Sequence, residues 1–574
     1  MQNNFKKVFL IVPMILFLCI SFMGTIAKAE DKVTSNQSQD YTNSTGTENQ
    51  TSKTSSILET SGSSKSVSNT KDNQNSISTT NKTDQETNVL SEWKKIDGKL
   101  HYVTKDGIVE KTGWFKEKDE NPNANDDNVY YLDKDFAATI GWKKINGAWY
   151  YFDEAGIEQT GWKLINYNWY YFGKDGIMAT GWIKDDGYTY YLNNEGIMDL
   201  GKKFIDNNWY FFGSAGILQK GFYEYKGKSY YSDNNGIMVA NQWIKTKNDQ
   251  YYVKADSSLA TGYAIIDNEA EKFDSNGRYI GPAEMEAHLY INQLSVGEAD
   301  CAFIKLPSGE TALIDTGTPE TAQKVISFLD GQNLKEEGGK KVIDYIIITH
   351  AHSDHIGGLA AILDNFNVKK VYMPDNAMMK DWYSYVKVTA DNSSNIKMMK
   401  TDYKVYQDAV SAMKSKKIKF TNTKKGEFID NNKILQFVQS DKDFGPIGSD
   451  KDTANYWGVN ENSAIIYLNY GDLKELFAAD MEWNSEKDFW TNDLLDGKKV
   501  DVLKVPHHGH DTSSTSDFIQ YLSPSIGIIS RDKKSIEKNS AYNNLIANGV
   551  SIYETSEKDG VSIYATQENW TVGK

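Results

Sequence analysis

The chain has 574 residues, a formal net charge of −15 and two cysteines. That length exceeds one ordinary domain, so two or three folding units are expected. The acidic balance argues against broad, charge-driven binding to nucleic acid. With Cys19 inside an apolar leader and only Cys301 beyond it, an exported chain has no intrachain disulfide.

The start reads as a secretory signal over residues 1–29. Lys6 and Lys7 form its basic end, Val8 to Ile26 its apolar centre, and Ala27-Lys28-Ala29 the small-residue cleavage pattern. The expectation is a secreted protein with no retained membrane anchor. Residues 30–90 are rich in Ser, Thr, Asn, Gln, Asp and Lys and nearly free of aromatic rings. Such a segment buries too little surface to offset its ordering entropy and is expected to be a disordered linker.

From 91 to 281 a repeat recurs every twenty residues or so. The clearest copies start at Gly141-Trp142, Gly161-Trp162 and Gly181-Trp182. Each runs through a polar turn into an aromatic run, as in Trp149-Tyr150-Tyr151-Phe152 and Trp169-Tyr170-Tyr171-Phe172, then a turn at Gly156 or Gly176. One hairpin per repeat, stacked as a solenoid, is the physical reading, because a lone hairpin is marginal in water. Rings at fixed offsets serve as core, and the central tyrosines fit that role. The Gly-Trp tryptophans fit a different one: rings converging between hairpins make a cage for a quaternary ammonium.

Beyond Gly281-Pro282 the pattern becomes mixed α/β over 282–574. The apolar run Tyr345 to Thr349 reads as a buried strand and delivers His350, His352, Asp354 and His355 within six residues. Gly357-Gly358 then lets a helix begin close by. Two later apolar strands end in Asp480 and in Pro506-His507-His508-Gly509-His510. Imidazoles and carboxylates at three strand ends suit Zn2+, one ion or two, with Mn2+ also acceptable. Residues 376 to 415 read as a helical insertion.

The repeats resemble choline-binding, or cell-wall-binding, repeats. That resemblance implies choline cages of Trp142, Trp149 and Tyr171, and of Trp162, Trp169 and Tyr191, with glycan as the alternative ligand. Lys202 stands where a cage tryptophan is expected, so no cage is assigned there. The C-terminal part resembles the metallo-β-lactamase superfamily, and the segments Asn460 to Ser463, Ala479-Asp480 and Val505 to Gly509 resemble the hydrolase domain of ComEC-type competence proteins. The fold class implied is multidomain, a β-hairpin solenoid followed by an αββα sandwich. The ligand set implied is His350 and His352 for a first metal, Asp354, His355 and His507 for a second, and Asp480 as bridge. No histidine lies between His355 and His507, so the first metal lacks a ligand unless Asn462 or water supplies it.

In this reading Asp354 or Asp480 orients the attacking water and His508 protonates the leaving group. Asp315 orients a ligand rather than binding metal. His508 and His510 are both candidates to bind the substrate's phosphate or to act as general acid. The combination of modules is similar to that of phosphorylcholine esterases. The function expected is therefore a cell-wall-attached phosphodiesterase acting on teichoic-acid phosphorylcholine. A surface nuclease acting on DNA and a wall-binding adhesin with an inert hydrolase domain are the alternatives.

Overall fold

The computed structural model describes residues 91–120, 128–374, 394–440, 458–557 and 559–573. The expected leader, the linker and the first part of the helical insertion lie outside the described residues. The chain falls into two compact units. One runs up to Ile183 and takes in Tyr191–Met198; the other holds Lys184–Tyr190 and everything from Asp199 onward.

The repeats are antiparallel hairpins. In the 141–152 hairpin Gly141 pairs with Phe152 and Trp142 with Tyr151; the 161–172 hairpin keeps the same register. Asn146 and Gly147 join the strands with φ of 49° and 89°, the left-handed pair that a two-residue turn needs to match the strands' twist. Successive hairpins are stitched by single backbone bonds, Glu158 N to Val129 O and Met178 N to Trp149 O. Gly176 follows for a steric reason: a Cβ there would collide with the Glu158 side chain of the preceding copy. Phe152 and Phe172 are fully buried while Trp149 is 42% exposed, so alternate rings of one strand serve core and surface.

The C-terminal domain begins with β1 (Leu289–Leu294), β2 (Ala302–Lys305), β3 (Thr311–Ile314), α1 (Ala322–Gly331) and β4 (Lys340–Ile347). It continues with α2 (Ser353–Ile356), α3 (Leu359–Asn365), β5 (Asn367–Met373), α4 (Ser394–Ser415) and β6 (Phe420–Asn422). The second half holds β7 (Leu435–Gln439), β8 (Ile465–Tyr470), β9 (Leu473–Phe477), α5 (Trp483–Thr491), β10 (Val502–Lys504), α6 (Ser516–Leu522), β11 (Ile526–Ile529), α7 (Ser540–Ala547), β12 (Ser551–Glu554), β13 (Gly560–Ala565) and β14 (Trp570–Gly573). One mixed sheet has the order β6-β5-β4-β3-β2-β1-β13-β14, and the other β7-β8-β9-β10-β11-β12.

Three cores separate the layers. Ile291, Ile304, Ile314 and Ile347 of the first sheet meet Phe437, Ile466, Leu468, Phe477 and Val502 of the second. The first sheet's other face, with Phe303, Leu313 and Ile346, is covered by Val325 and Leu329 of α1, Ile362 of α3 and Met399 and Met413 of α4. The second sheet's outer face, with Ile465, Leu476 and Leu503, is covered by Phe489, Phe518 and Leu545 of α5, α6 and α7. The arrangement is helix, sheet, sheet, helix. In α1 the buried residues Ala322, Val325, Ile326 and Leu329 recur at the helical spacing that makes one apolar stripe.

The sequence places the junction between repeats and hydrolase at 281, yet the hairpins from Asp199 onward form one unit with the domain. Ala255 enters the inter-sheet core. Thr571 Oγ1 and Thr566 Oγ1 donate to the carbonyls of Ile265 and Tyr263, Asn241 Nδ2 to Tyr553 Oη, and Lys254 Nζ to Asn569 Oδ1.

Candidate metal centre and aromatic cation sites

Parallel pairing brings the site together. β3 runs parallel to β4, with Ile314 beside Ile347. β9, β10 and β11 are mutually parallel, with Phe477 beside Lys504 and Lys504 beside Ile528. Their carboxyl ends therefore open on one edge, where α/β sheets place their ligands. Each delivers a polar residue: Asp315 after β3, His350 to His355 after β4, Asp480 after β9, His507 and His508 after β10, and Ser530 after β11. Gly358 permits the tight exit from the histidine loop, since a Cβ there would overlap the Thr316 carbonyl oxygen.

Asp354, His355, Asp480 and His508 each bring a ligand atom within 4.8 Å of the others. His355 Nε2 lies 3.2 Å from Asp480 Oδ2 and 3.6 Å from Asp354 Oδ2. His508 Nε2 lies 3.2 Å from Asp354 Oδ2 and 3.5 Å from Asp480 Oδ2. His350 Nε2 stands 3.9 Å from Asp480 Oδ2 and 3.2 Å from His352 Nδ1. The sequence assigned His507 to the metal and His508 to proton transfer. In space it is His508 that joins the group, whereas His507 turns its Nδ1 to Thr512 Oγ1 at 2.8 Å and to Glu482 Oε1 at 3.3 Å. Neighbours on a sharp loop point apart, and here both residues adopt left-handed φ of 46° and 49°. That is a strained backbone found at functional loops.

A surrounding ring of partners fixes each imidazole. Asp315 Oδ2 accepts from His355 Nδ1 at 2.8 Å, and both its oxygens are held by Thr349, from the backbone N and from Oγ1. His350 Nδ1 contacts Thr349 Oγ1 and Ser463 Oγ. His508 Nδ1 contacts Ser530 Oγ at 2.8 Å, Ser530 donates to Asp300, and Asp300 forms a buried ion pair with Lys504 at 2.8 Å. In His350, His355 and His508 it is Nδ1 that is engaged, which aims Nε2 at the centre. Asn462, considered as a stand-in for the missing histidine, gives its amide to Gly458 O; Ser463 is the residue of that turn that reaches His350. Asp300, Ser530 and Lys504 escaped the sequence reading. Ser530 follows β11 directly, so the same strand-end rule points to it.

The electrostatics fit a cation. Burial by itself lowers His355 and His508, but the carboxylates of Asp480, Asp354 and Asp315 around the first, and Asp480 and Asp300 around the second, outweigh it and hold both rings well above their ordinary range. The same pairs hold Asp480 well below the usual carboxylate range against the opposing pull of burial. His350 is driven well below its ordinary value by burial and by its neighbouring imidazoles. Asp480 Oδ1 and His355 Nε2 are buried and make no hydrogen bond among the described residues. Imidazoles and carboxylates converging with such atoms left unsatisfied are a donor set for a divalent ion, which would displace the protons that the carboxylates hold on His355 and His508.

On the rim, His510 Nε2 and Arg531 Nη1 both meet Glu298 Oε1, at 2.7 and 3.0 Å. Arg531 is one of two arginines in the chain, the other being Arg278. Beside His507, Asn460 Nδ2 donates to Glu482 Oε1 at 3.0 Å, and burial raises the Glu482 carboxyl to about 8.

In the repeats, Trp142 meets Trp149 edge to face at 6.2 Å and Tyr170 of the next hairpin at 4.8 Å. The sequence assigned Tyr171 to this cage. Strand alternation sends Tyr171 to the opposite face, where it packs on Trp162 of its own hairpin at 5.2 Å. Tyr191 likewise packs on Trp182 of its own hairpin at 5.0 Å, and Trp169 is 43% exposed.

Residues 294–531 match the metallo-beta-lactamase superfamily. Residues 159–198 match a choline-binding repeat, and residues 140–157, 203–218 and 220–238 a cell wall binding repeat. The chain thus carries a metallo-beta-lactamase superfamily domain behind choline-binding repeats. It is homologous to ComE operon protein 3 of Bacillus subtilis, with 25% identity over 262 residues that cover 43% of this chain and 28% of that one. It is 35% identical to the probable metallo-hydrolase YflN of the same organism over 103 residues, 17% of this chain and 35% of that one. The chain therefore spans about a third or less of the length of these curated relatives. Among solved structures, choline binding protein F of Streptococcus pneumoniae, in the presence of a peptidoglycan analogue, is similar at 32% identity over 32% of this chain and 61% of that one, with a TM-score of 0.27.

Proposed function

We propose that this chain is an exported, cell-wall-attached phosphodiesterase that removes phosphorylcholine from teichoic acid. One observation carries the reading: a single chain combines an aromatic site suited to a quaternary ammonium, Trp142 with Trp149 and Tyr170, with a buried His/Asp site rimmed by a guanidinium. Those are the two halves of a phosphorylcholine ester. Asp354, His355, Asp480 and His508 would hold one ion, with His350 and His352 offering a second position. A divalent ion there, Zn2+ or Mn2+, supplies Lewis acidity and a water ionised near neutral pH.

The chain's own residues divide the remaining work. Asp354 has 29% of its side chain exposed against 2% for Asp480, so Asp354 is the carboxylate that orients the attacking water. Burial drives His507 down to about 4, which leaves it neutral and unsuited to donate a proton at pH 7. His510, more exposed and bonded to Glu298, is the group that protonates the leaving oxygen. Arg531 presents a planar fork suited to phosphoryl oxygens. In this proposal His508 takes the metal-holding part that sequence reasoning gave His507, and His510 the proton-donating part it gave His508.

A nuclease is the second reading, favoured by the similarity to ComE operon protein 3 and opposed by the net charge of −15. The test offers zinc- or manganese-loaded protein p-nitrophenylphosphorylcholine, duplex and single-stranded DNA, and a lactam, with retention on a choline column read separately. Turnover of the phosphorylcholine ester is expected. Cleavage of DNA alone refutes the esterase reading, and no turnover by fully loaded protein leaves a wall-binding adhesin.

A further inference from the structure

The 201–212 hairpin has the register of the 141–152 hairpin: Lys202 pairs with Phe211 as Trp142 pairs with Tyr151. Trp209 takes the position of Trp149, and Lys202 that of the Gly-Trp ring. The Lys202 ammonium lies 4.3 Å from the centre of the Trp209 ring and donates to Ser551 Oγ of β12 at 2.9 Å. Phe204 packs on Trp209 at 5.0 Å from the same strand.

We propose that Lys202 is the resident cation of this aromatic site, so that the repeat grips the hydrolase domain through β12 and takes up no quaternary ammonium. The substitution removes a wall of the cage and supplies from within the chain the charge that the remaining tryptophan attracts. Burial brings the ammonium down to about 8, so it keeps its proton at pH 7. The neighbouring contacts run in the same direction, since Asn241 reaches Tyr553 of β12 and Lys254 reaches Asn569. A wall-binding repeat has become a clamp on the catalytic domain.

The inference rests on reading Trp142, Trp149 and Tyr170 as a cation site, and one experiment separates the two. Hydrogen exchange of the full chain is followed with and without tetramethylammonium chloride in wild type, Lys202→Met and Lys202→Ala. Lys202→Met, which keeps the stem and loses the charge, is expected to speed exchange roughly tenfold in both 201–212 and 551–554, the change in opening that a desolvated cation–π contact is worth, and to leave 141–172 unaltered. In Lys202→Ala the added cation is expected to slow exchange in 201–212, which it does not do in wild type. A methionine variant with wild-type exchange in 551–554 overturns the clamp. An alanine variant protected by the cation at 141–172 but not at 201–212 overturns the occupancy of this site by Lys202. Absence of protection at 141–172 in every protein refutes the cation-site reading itself, and this inference with it.

Discussion

Asp315→Asn changes one atom of a fully buried side chain and tests how the site controls its ligands. Asp315 Oδ2 accepts from His355 Nδ1 at 2.8 Å, and Oδ1 accepts from Thr349 N at 2.8 Å. In the variant the amide oxygen keeps the Thr349 N bond, so the NH2 group faces His355. Nδ1 then becomes the acceptor and the imidazole proton moves to Nε2, the nitrogen aimed at Asp480 3.2 Å away. A protonated Nε2 has no lone pair for a metal. Loss of such an orienting partner costs about 10–100-fold in metal affinity, equivalent to roughly 1.4–2.7 kcal/mol. Burial raises the Asp315 carboxyl above its ordinary value, so ionisation of this group costs the metal-free fold something that asparagine does not. The melting temperature is therefore expected to fall more with zinc than without it. Competition against a chromophoric zinc chelator measures the affinity, and calorimetry with and without metal measures the second effect. Wild-type zinc affinity in a folded Asp315→Asn protein refutes the argument that Asp315 sets the tautomer of His355.

Other outcomes follow from the same geometry. His508→Gln is expected to lose metal at least tenfold more readily than His507→Gln, whereas His507→Gln keeps the ion; metal content after dialysis separates them. Stability of the metal-free protein depends on pH in two directions. His355 and His508 are held above their ordinary values, so their contribution is complete below about pH 6.5, the unfolded value, and is lost as pH rises through the folded values. Asp480 is held below its ordinary value, so its contribution is present above about pH 4 and is lost on acidification. Melting of chelator-treated protein from pH 4 to 9 checks both signs, and a profile that only climbs toward high pH contradicts the first. Trp142→Ala is expected to weaken choline binding at its cage by about 2–30-fold, the range of one cation–π contact, and Tyr170→Ala more than Tyr171→Ala; titration calorimetry with choline reads the difference.

How much was legible depended on whether neighbours in sequence are neighbours in space. Residues 350, 352, 354 and 355 lie on one loop, and the strand before them is uniformly apolar, so the cluster and its delivery were readable. The twenty-residue repeat announced its hairpins because each copy closes on itself. His507 and His508 were readable as a pair but not as individuals. Two residues in left-handed conformation decide which ring faces Asp354 and Asp480, and no periodicity encodes that. Tyr170 and Tyr171 pose the same problem: strand alternation puts them on opposite faces, and only the stacking of hairpins says which face carries the cage.

By itself the sequence determined the composition of the molecule: aromatic hairpins, a two-sheet hydrolase domain, and a His/Asp inventory spread over three strand ends. These follow from local periodicity and from residue chemistry, which the chain carries wherever it folds. The tertiary structure alone decided the partners of that inventory. It set Asp300, Lys504 and Ser530 behind His508, Arg531 on the rim beside His510, and Lys202 over Trp209 against Ser551. Each joins residues far apart in the chain through parallel strands or packed faces, and the closing of such distances is a property of the whole fold, not of any segment.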